Sequence, residues 1–199
     1  MSRRVIASYT MSRIRPLRPD DALDEDVQQR LAAAEVGWYG DTAFFGAMAH
    51  APALFTRLYD ILDTFPSGER ITPELLELMR LRIAAVHECA YCATVRTLDV
   101  RDAVAGREDA VLGDEIDSTQ LTDREELAVA LADHVASNPH RITDGFVAAL
   151  REAFDDAEVV ELLLFASLEV GLDRFCIAFE LDTADASSYP DDLDYPHDT

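Results

Sequence analysis

Thr72-Pro73-Glu74-Leu75-Leu76-Glu77-Leu78-Met79-Arg80-Leu81-Arg82, and seven residues on Cys89-Ala90-Tyr91-Cys92, is the stretch whose reading decides the fold. Its first three residues mark a helix start: a cap residue, proline at the first helical position and an acid in the first turn. From Leu75 to about His87 apolar residues fall on most faces, the pattern of a helix buried all round. A second helix is expected to carry the cysteine pair and run to about Gly106. No residue marks the break between the two, which follows only from the usual length of globular helices.

Outward from there the pattern stays helical. Upstream, Leu23, Val27, Leu31 and Ala34 repeat at helical spacing. Gly37-Trp38-Tyr39-Gly40 breaks the run, and Phe44, Phe45, Met48, Leu54, Leu58, Ile61 and Leu62 resume it before the Pro66-Ser67-Gly68 loop. Downstream, Thr122-Asp123-Arg124-Glu125 is a capping box, Asn138-Pro139 stops its helix, and Thr143 opens a short one. Asp155 with Glu158 opens the last long helix, which ends near Leu181. No segment alternates with period two. The expectation is an all-α protein of roughly seven or eight helices. Residues 16–183 form one domain, 1–15 a mobile arm (with Met11 a second possible start) and 184–199 a loose acidic tail.

The 199 residues carry 39 acidic and 17 basic side chains, a net charge of -22, and every basic one is Arg. The acids are spread along the chain, which points to adaptation to high salt, where self-repulsion is screened. This field repels nucleic acid and anionic lipid, so neither is an expected partner. No apolar run is long enough to span a membrane and no leader is visible, so the expected location is the cytoplasm.

In a reducing compartment a close cysteine pair suits catalysis or metal binding better than a structural bridge. Cys89 and Cys92 stand at i and i+3, on one helical face. Zinc would need two further ligands, and the five histidines are scattered, so no metal is expected. Cys176, between Phe175 and Ile177, reads as core packing.

Glu77, eleven further residues and Cys89-Ala90-Tyr91-Cys92 resemble the motif of the AhpD-like alkylhydroperoxidases of the carboxymuconolactone decarboxylase superfamily. So do the approach through Thr72–Arg82 and the later Leu121–Glu126 and Asp155–Leu162 segments. The resemblance spans roughly residues 16–181 and implies an AhpD-like helical domain. It also implies a thiol-dependent peroxidase with no bound cofactor, acting on hydroperoxides. The reductant would be a cellular thiol, lipoyl group or thioredoxin-type protein, and the assembly a homo-oligomer, a trimer or a multiple of one. By the same resemblance Cys92 is peroxidatic, Cys89 resolving and Glu77 a proton-relay acid.

Two positions depart from that pattern. The motif's histidine falls at Arg96, and Asp173-Arg174 stands where Asn-Arg is usual. Arg96 cannot relay protons, but one turn beyond Cys92 it is expected to stabilise a thiolate as a fixed positive charge. His87 is the candidate replacement base. Helix-terminus electrostatics favour ionisation of the first cysteine, Cys89, so the nucleophile stays open between the two. The alternatives are a decarboxylase or lactone enzyme, against which the cysteine pair argues, and a catalytically lapsed helical oligomer acting as a binding or stress protein, which Arg96 favours.

Overall fold

The computed structural model describes residues 12–67 and 70–196. Ten α-helices and no strand occur among these residues: α1 (Glu25–Val36), α2 (Ala43–Met48), α3 (Pro52–Thr64), α4 (Pro73–His87), α5 (Ala90–Thr94), α6 (Arg101–Val104), α7 (Asp109–Leu112), α8 (Asp123–Ser137), α9 (Asp144–Ala153) and α10 (Asp156–Phe179). The all-α expectation holds. The count rises above seven or eight because residues 90–112 break into three short helices rather than one long one.

α4 is the axis of the fold. Every residue from Leu75 to Ala84 is buried, the charged Glu77, Arg80 and Arg82 included. It packs mainly against α8 and α10, and also touches α5 and α7. Each buried charge on it has an ionic partner, as burial of a charge requires. Arg82 reaches Asp133 of α8 at 2.6 Å and the carbonyls of Val111, Gly113 and Asp114. The capping boxes at Thr122/Glu125 and Asp155/Glu158 form as expected. Thr72 occupies the cap of α4 without a side-chain hydrogen bond, leaving Pro73 to set the first turn.

The unmarked break after His87 is made by Glu88. It adopts the left-handed conformation, φ 53°, and its N–H bonds to the carbonyls of Ala84 and Ala85. Glycine usually supplies this conformation, so the sequence carried no signal for it. The cysteine helix then ends at Thr94, not near Gly106. The guanidinium groups of Arg80 and Arg96 take up the carbonyls of Cys92, Ala93, Thr94 and Val95 in place of a further helical turn.

Both ends of the described chain are more firmly held than expected. Residues 1–11 of the predicted arm lie outside the described residues, but the Arg13 N–H donates to the Phe179 carbonyl at 2.7 Å. Leu17 meets Gly46 so closely that a Cβ at Gly46 would strike the Leu17 carbonyl. The tail is likewise docked. Tyr195 is buried and its hydroxyl donates to the Leu181 carbonyl at 2.9 Å, while the Ala184 N–H donates to Asp41. Tyr189 also reaches back to the body, its hydroxyl donating to the Arg96 carbonyl at 3.2 Å. No helix among the described residues is long and apolar enough to cross a membrane.

Candidate active site

The cysteine pair opens α5 against α4 and α10. Cys89 is the N-cap of α5, and its sulfur accepts the Cys92 N–H at 3.4 Å. The Cys89 and Cys92 Sγ atoms lie 2.6 Å apart. Tyr91, between them, anchors the short helix: its hydroxyl donates to Asp41 at 2.7 Å and its N–H to the Tyr195 hydroxyl at 3.2 Å. The docked tail thus helps to position the thiols.

α10 brings a third sulfur. The Sγ atoms of Cys89, Cys92 and Cys176 all lie within 4.8 Å of one another, and all three residues are buried. The cluster is also compact enough to share a soft metal ion. Cys176 is therefore part of the site, not merely core packing. A signal for it was present in the sequence. Glu169, Asp173 and Cys176 fall at i, i+4 and i+7, a polar stripe on one face of an otherwise apolar helix.

The electrostatics separate the thiols. Burial opposes a charge on Cys89, but hydrogen bonds from Cys176, Cys92 and the Cys92 backbone, with the field of Arg80, outweigh it and pull its pKa below the ordinary range to about 4. Burial and the neighbouring Cys176 and Cys89 push Cys92 well up, and burial does the same to Cys176. One negative charge shared over the cluster, resting on Cys89, is the arrangement this favours.

Cys92 and Cys176 border a small cavity with Tyr39, Phe44, Leu172, Glu169 and Asp173. Tyr39, Arg80 and Glu169 also border a second, larger cavity, walled by Trp38, Phe65 and Phe165. Burial, then the charge of Asp173, raises the Glu169 pKa to about 8, so this carboxyl holds its proton at neutral pH. Burial also raises Asp173. Its Oδ2 lies 3.3 Å from His87 Nδ1, yet neither its oxygens nor that nitrogen completes an aligned hydrogen bond among the described residues. The other ring nitrogen of His87, Nε2, is 3.3 Å from the Ala136 carbonyl, so His87 borders the site behind Asp173.

Two predicted residues are differently employed. Glu77 binds Arg80 through both oxygens, at 2.7 and 2.9 Å, and accepts from the Thr97 hydroxyl at 2.7 Å and the Thr97 N–H at 3.2 Å. Burial works against its charge, but Arg80 and Thr97 hold its pKa below the ordinary carboxylate range. So saturated, Glu77 fixes Arg80, which in turn donates to the Cys92 carbonyl at 2.6 Å. Arg96 does not lie one helical turn from Cys92, because α5 has already ended. Its guanidinium pairs with Glu108 at 2.8 Å and caps the last carbonyls of the helix. The cation beside the thiols is Arg80, whose role the sequence reading did not assign.

No protein-family model matches this chain, and no curated protein does. Solved structures do. An uncharacterised peroxidase-related protein from Ralstonia eutropha, described as an alkylhydroperoxidase AhpD core, superposes with a TM-score of 0.71 at 20% identity over 89% of this chain and 95% of its own. The debrominase Bmp8 matches twice. A cysteine-to-alanine variant in complex with 2,3,4-tribromopyrrole gives a TM-score of 0.70 at 14% identity over 89% and 95% of the two chains. The apo form gives 0.68 at 16% identity over 86% and 91%. The all-helical architecture of the described residues, with α4 packed against α8 and α10 and Cys89-Ala90-Tyr91-Cys92 opening α5, gives this chain the AhpD-like fold.

Proposed function

We propose that the protein is a thiol-dependent peroxidase that cycles Cys89 and Cys92 between dithiol and disulfide. The observation that carries this reading is a pair of sulfurs 2.6 Å apart, one of which, Cys92, borders a cavity. Cys92 faces that cavity. When the shared proton passes to Cys89, the Cys92 thiolate attacks the distal oxygen of a hydroperoxide. The O–O bond breaks, Cys92 becomes a sulfenic acid, and the alkoxide takes a proton from Glu169. The Cys89 thiol then attacks the Cys92 sulfur and water leaves with the sulfenic oxygen. Two electrons from an external thiol, lipoyl or thioredoxin-type reductant restore the pair. Asp173, with His87 behind it, handles the proton exchanged at Cys92, the task the family gives to its motif histidine.

This chemistry suits the cytoplasm, and the acidic surface suits an assay in molar KCl. The exposed Val160, Leu163 and Leu164 of α10 support a homo-oligomer. Peroxide consumption with dithiothreitol tests the reading. Cys92→Ser should lower it by about 10²-fold or more, and peroxide should produce a Cys89–Cys92 disulfide. Consumption untouched by Cys92→Ser would sink the assignment and favour the binding-protein alternative. A second reading, thiol-driven debromination, is favoured by the aromatic-walled cavity and the likeness to Bmp8. Bromide release from tribromopyrrole under the same reductant, without peroxide consumption, would establish it instead.

A further inference from the structure

We propose that Cys176 is a third redox thiol, a second resolving cysteine for Cys92. The inference rests on the peroxidase reading of the same site. A lone buried cysteine in an apolar helix is ordinarily inert packing. Cys176 is set apart by three observations of position. Its sulfur lies within 4.8 Å of both Cys89 and Cys92. It borders the same cavity as Cys92, so it meets whatever sulfur species the peroxide leaves there. It also shares its helical face with Asp173, whose buried carboxylate has no aligned partner and stands beside the reacting sulfurs.

The chemistry balances without a further reagent. A hydroperoxide converts the Cys92 thiolate to a sulfenic acid and is itself reduced to the alcohol. The Cys176 sulfur attacks the Cys92 sulfur, an S–S bond forms, and the S–O bond breaks. The thiol proton of Cys176, passed through Asp173, leaves with the hydroxide as water. The result is a Cys92–Cys176 disulfide at the same oxidation level as Cys89–Cys92. It leaves Cys89 reduced and able to attack Cys92 again, so that exchange returns the enzyme to its usual disulfide. The benefit is protection. A sulfenic acid in a cavity open to peroxide is exposed to irreversible over-oxidation until a thiol captures it, and two flanking thiols shorten that interval.

The decisive experiment uses the full chain in which Cys89 is removed. Cys89→Ser, treated with cumene hydroperoxide, should form a Cys92–Cys176 disulfide on peptide mapping. Cys89→Ser/Cys176→Ala should instead accumulate sulfenic and sulfinic Cys92 and turn over at least about tenfold more slowly with dithiothreitol. Cys176→Ala alone should raise the fraction of sulfinic Cys92 after repeated peroxide additions. If Cys89→Ser gives only over-oxidised Cys92, with no link to Cys176, the proposal is overturned while the peroxidase reading stands. If the unmodified protein forms no peroxide-dependent disulfide, that reading fails as well. Stoichiometric zinc in the purified protein, released on thiol modification, would assign the three sulfurs to a metal and overturn the proposal. Should Cys176→Ala fail to fold, the peptide map of Cys89→Ser still decides it.

Discussion

The buried acids of α4 and those of α10 are built in opposite ways. On α4, Glu77 has every available partner: two hydrogen bonds from Arg80 and two from Thr97. On α10, Asp173 is equally buried and neither of its oxygens completes an aligned hydrogen bond, and Glu169 above it holds a pKa of about 8. The saturated carboxylate stays ionised and rigid, which suits a strut. On α10 burial raises both carboxyls, and Glu169, at about 8, can exchange a proton near neutral pH, which suits chemistry. Glu77 thus has its oxygens fully engaged, while Asp173 of α10 keeps oxygens without an aligned partner.

The largest expected effect breaks the strut. Glu77→Gln leaves the Arg80 guanidinium buried without a counter-charge, a loss of about 3–5 kcal/mol by the usual cost of a broken buried pair. Denaturant midpoints measure it. The folded pKa of Glu77 lies below the ordinary glutamate value of 4.5. Its contribution is therefore present above that value and lost as the pH falls through the folded pKa, because the unfolded chain binds the proton first. Glu77→Gln should accordingly flatten the acid limb of the stability curve. An unchanged midpoint would place the relay role back on Glu77.

Glu169 should act at the other end of the pH scale. Its pKa is raised from 4.5 to about 8, so the folded protein binds more protons than the unfolded chain between those values, and stability falls as the pH rises through them. Glu169→Gln should remove that decline, a gain of a few kcal/mol at pH 9. In activity it should lower turnover and erase the alkaline limb of the pH–rate profile, provided alkoxide protonation passes through it. A profile that keeps its alkaline limb would assign the proton elsewhere.

Asp173→Asn is expected to change stability little, since an amide loses no completed hydrogen bond there. If Asp173 handles the Cys92 proton, the same change should lower peroxide turnover by about tenfold. Equal loss of stability and turnover would make the residue structural. The smallest effect belongs to Arg96→Ala. Removing its Glu108 pair and the carbonyl caps should cost about 1 kcal/mol and leave the iodoacetamide rate of the thiols unaltered. A slowed rate would restore the role first expected of Arg96, a fixed charge beside Cys92.

Much of this architecture was legible along the chain. Local rules placed α4, α8 and α10: caps within three residues, apolar spacing within a few turns, and no alternation of period two. The Cys89–Cys92 spacing likewise placed the two sulfurs side by side, because residues three apart in a helix are neighbours whatever surrounds them. Tertiary structure alone decided the rest. Glu88 ends α4 without a glycine, and two arginines from different elements end α5 by taking its carbonyls. Tyr189 and Tyr195 fold the acidic tail back over the body. Cys176 and Asp173, more than eighty residues from the pair in sequence, join it only because α10 crosses α5. Short-range hydrogen bonds and periodicity can be read from neighbours in sequence. Burial, ionisation and the meeting of distant side chains depend on packing, and packing here paired Glu77 with Arg80 and Arg96 with Glu108 and brought Cys176 to the Cys89–Cys92 pair.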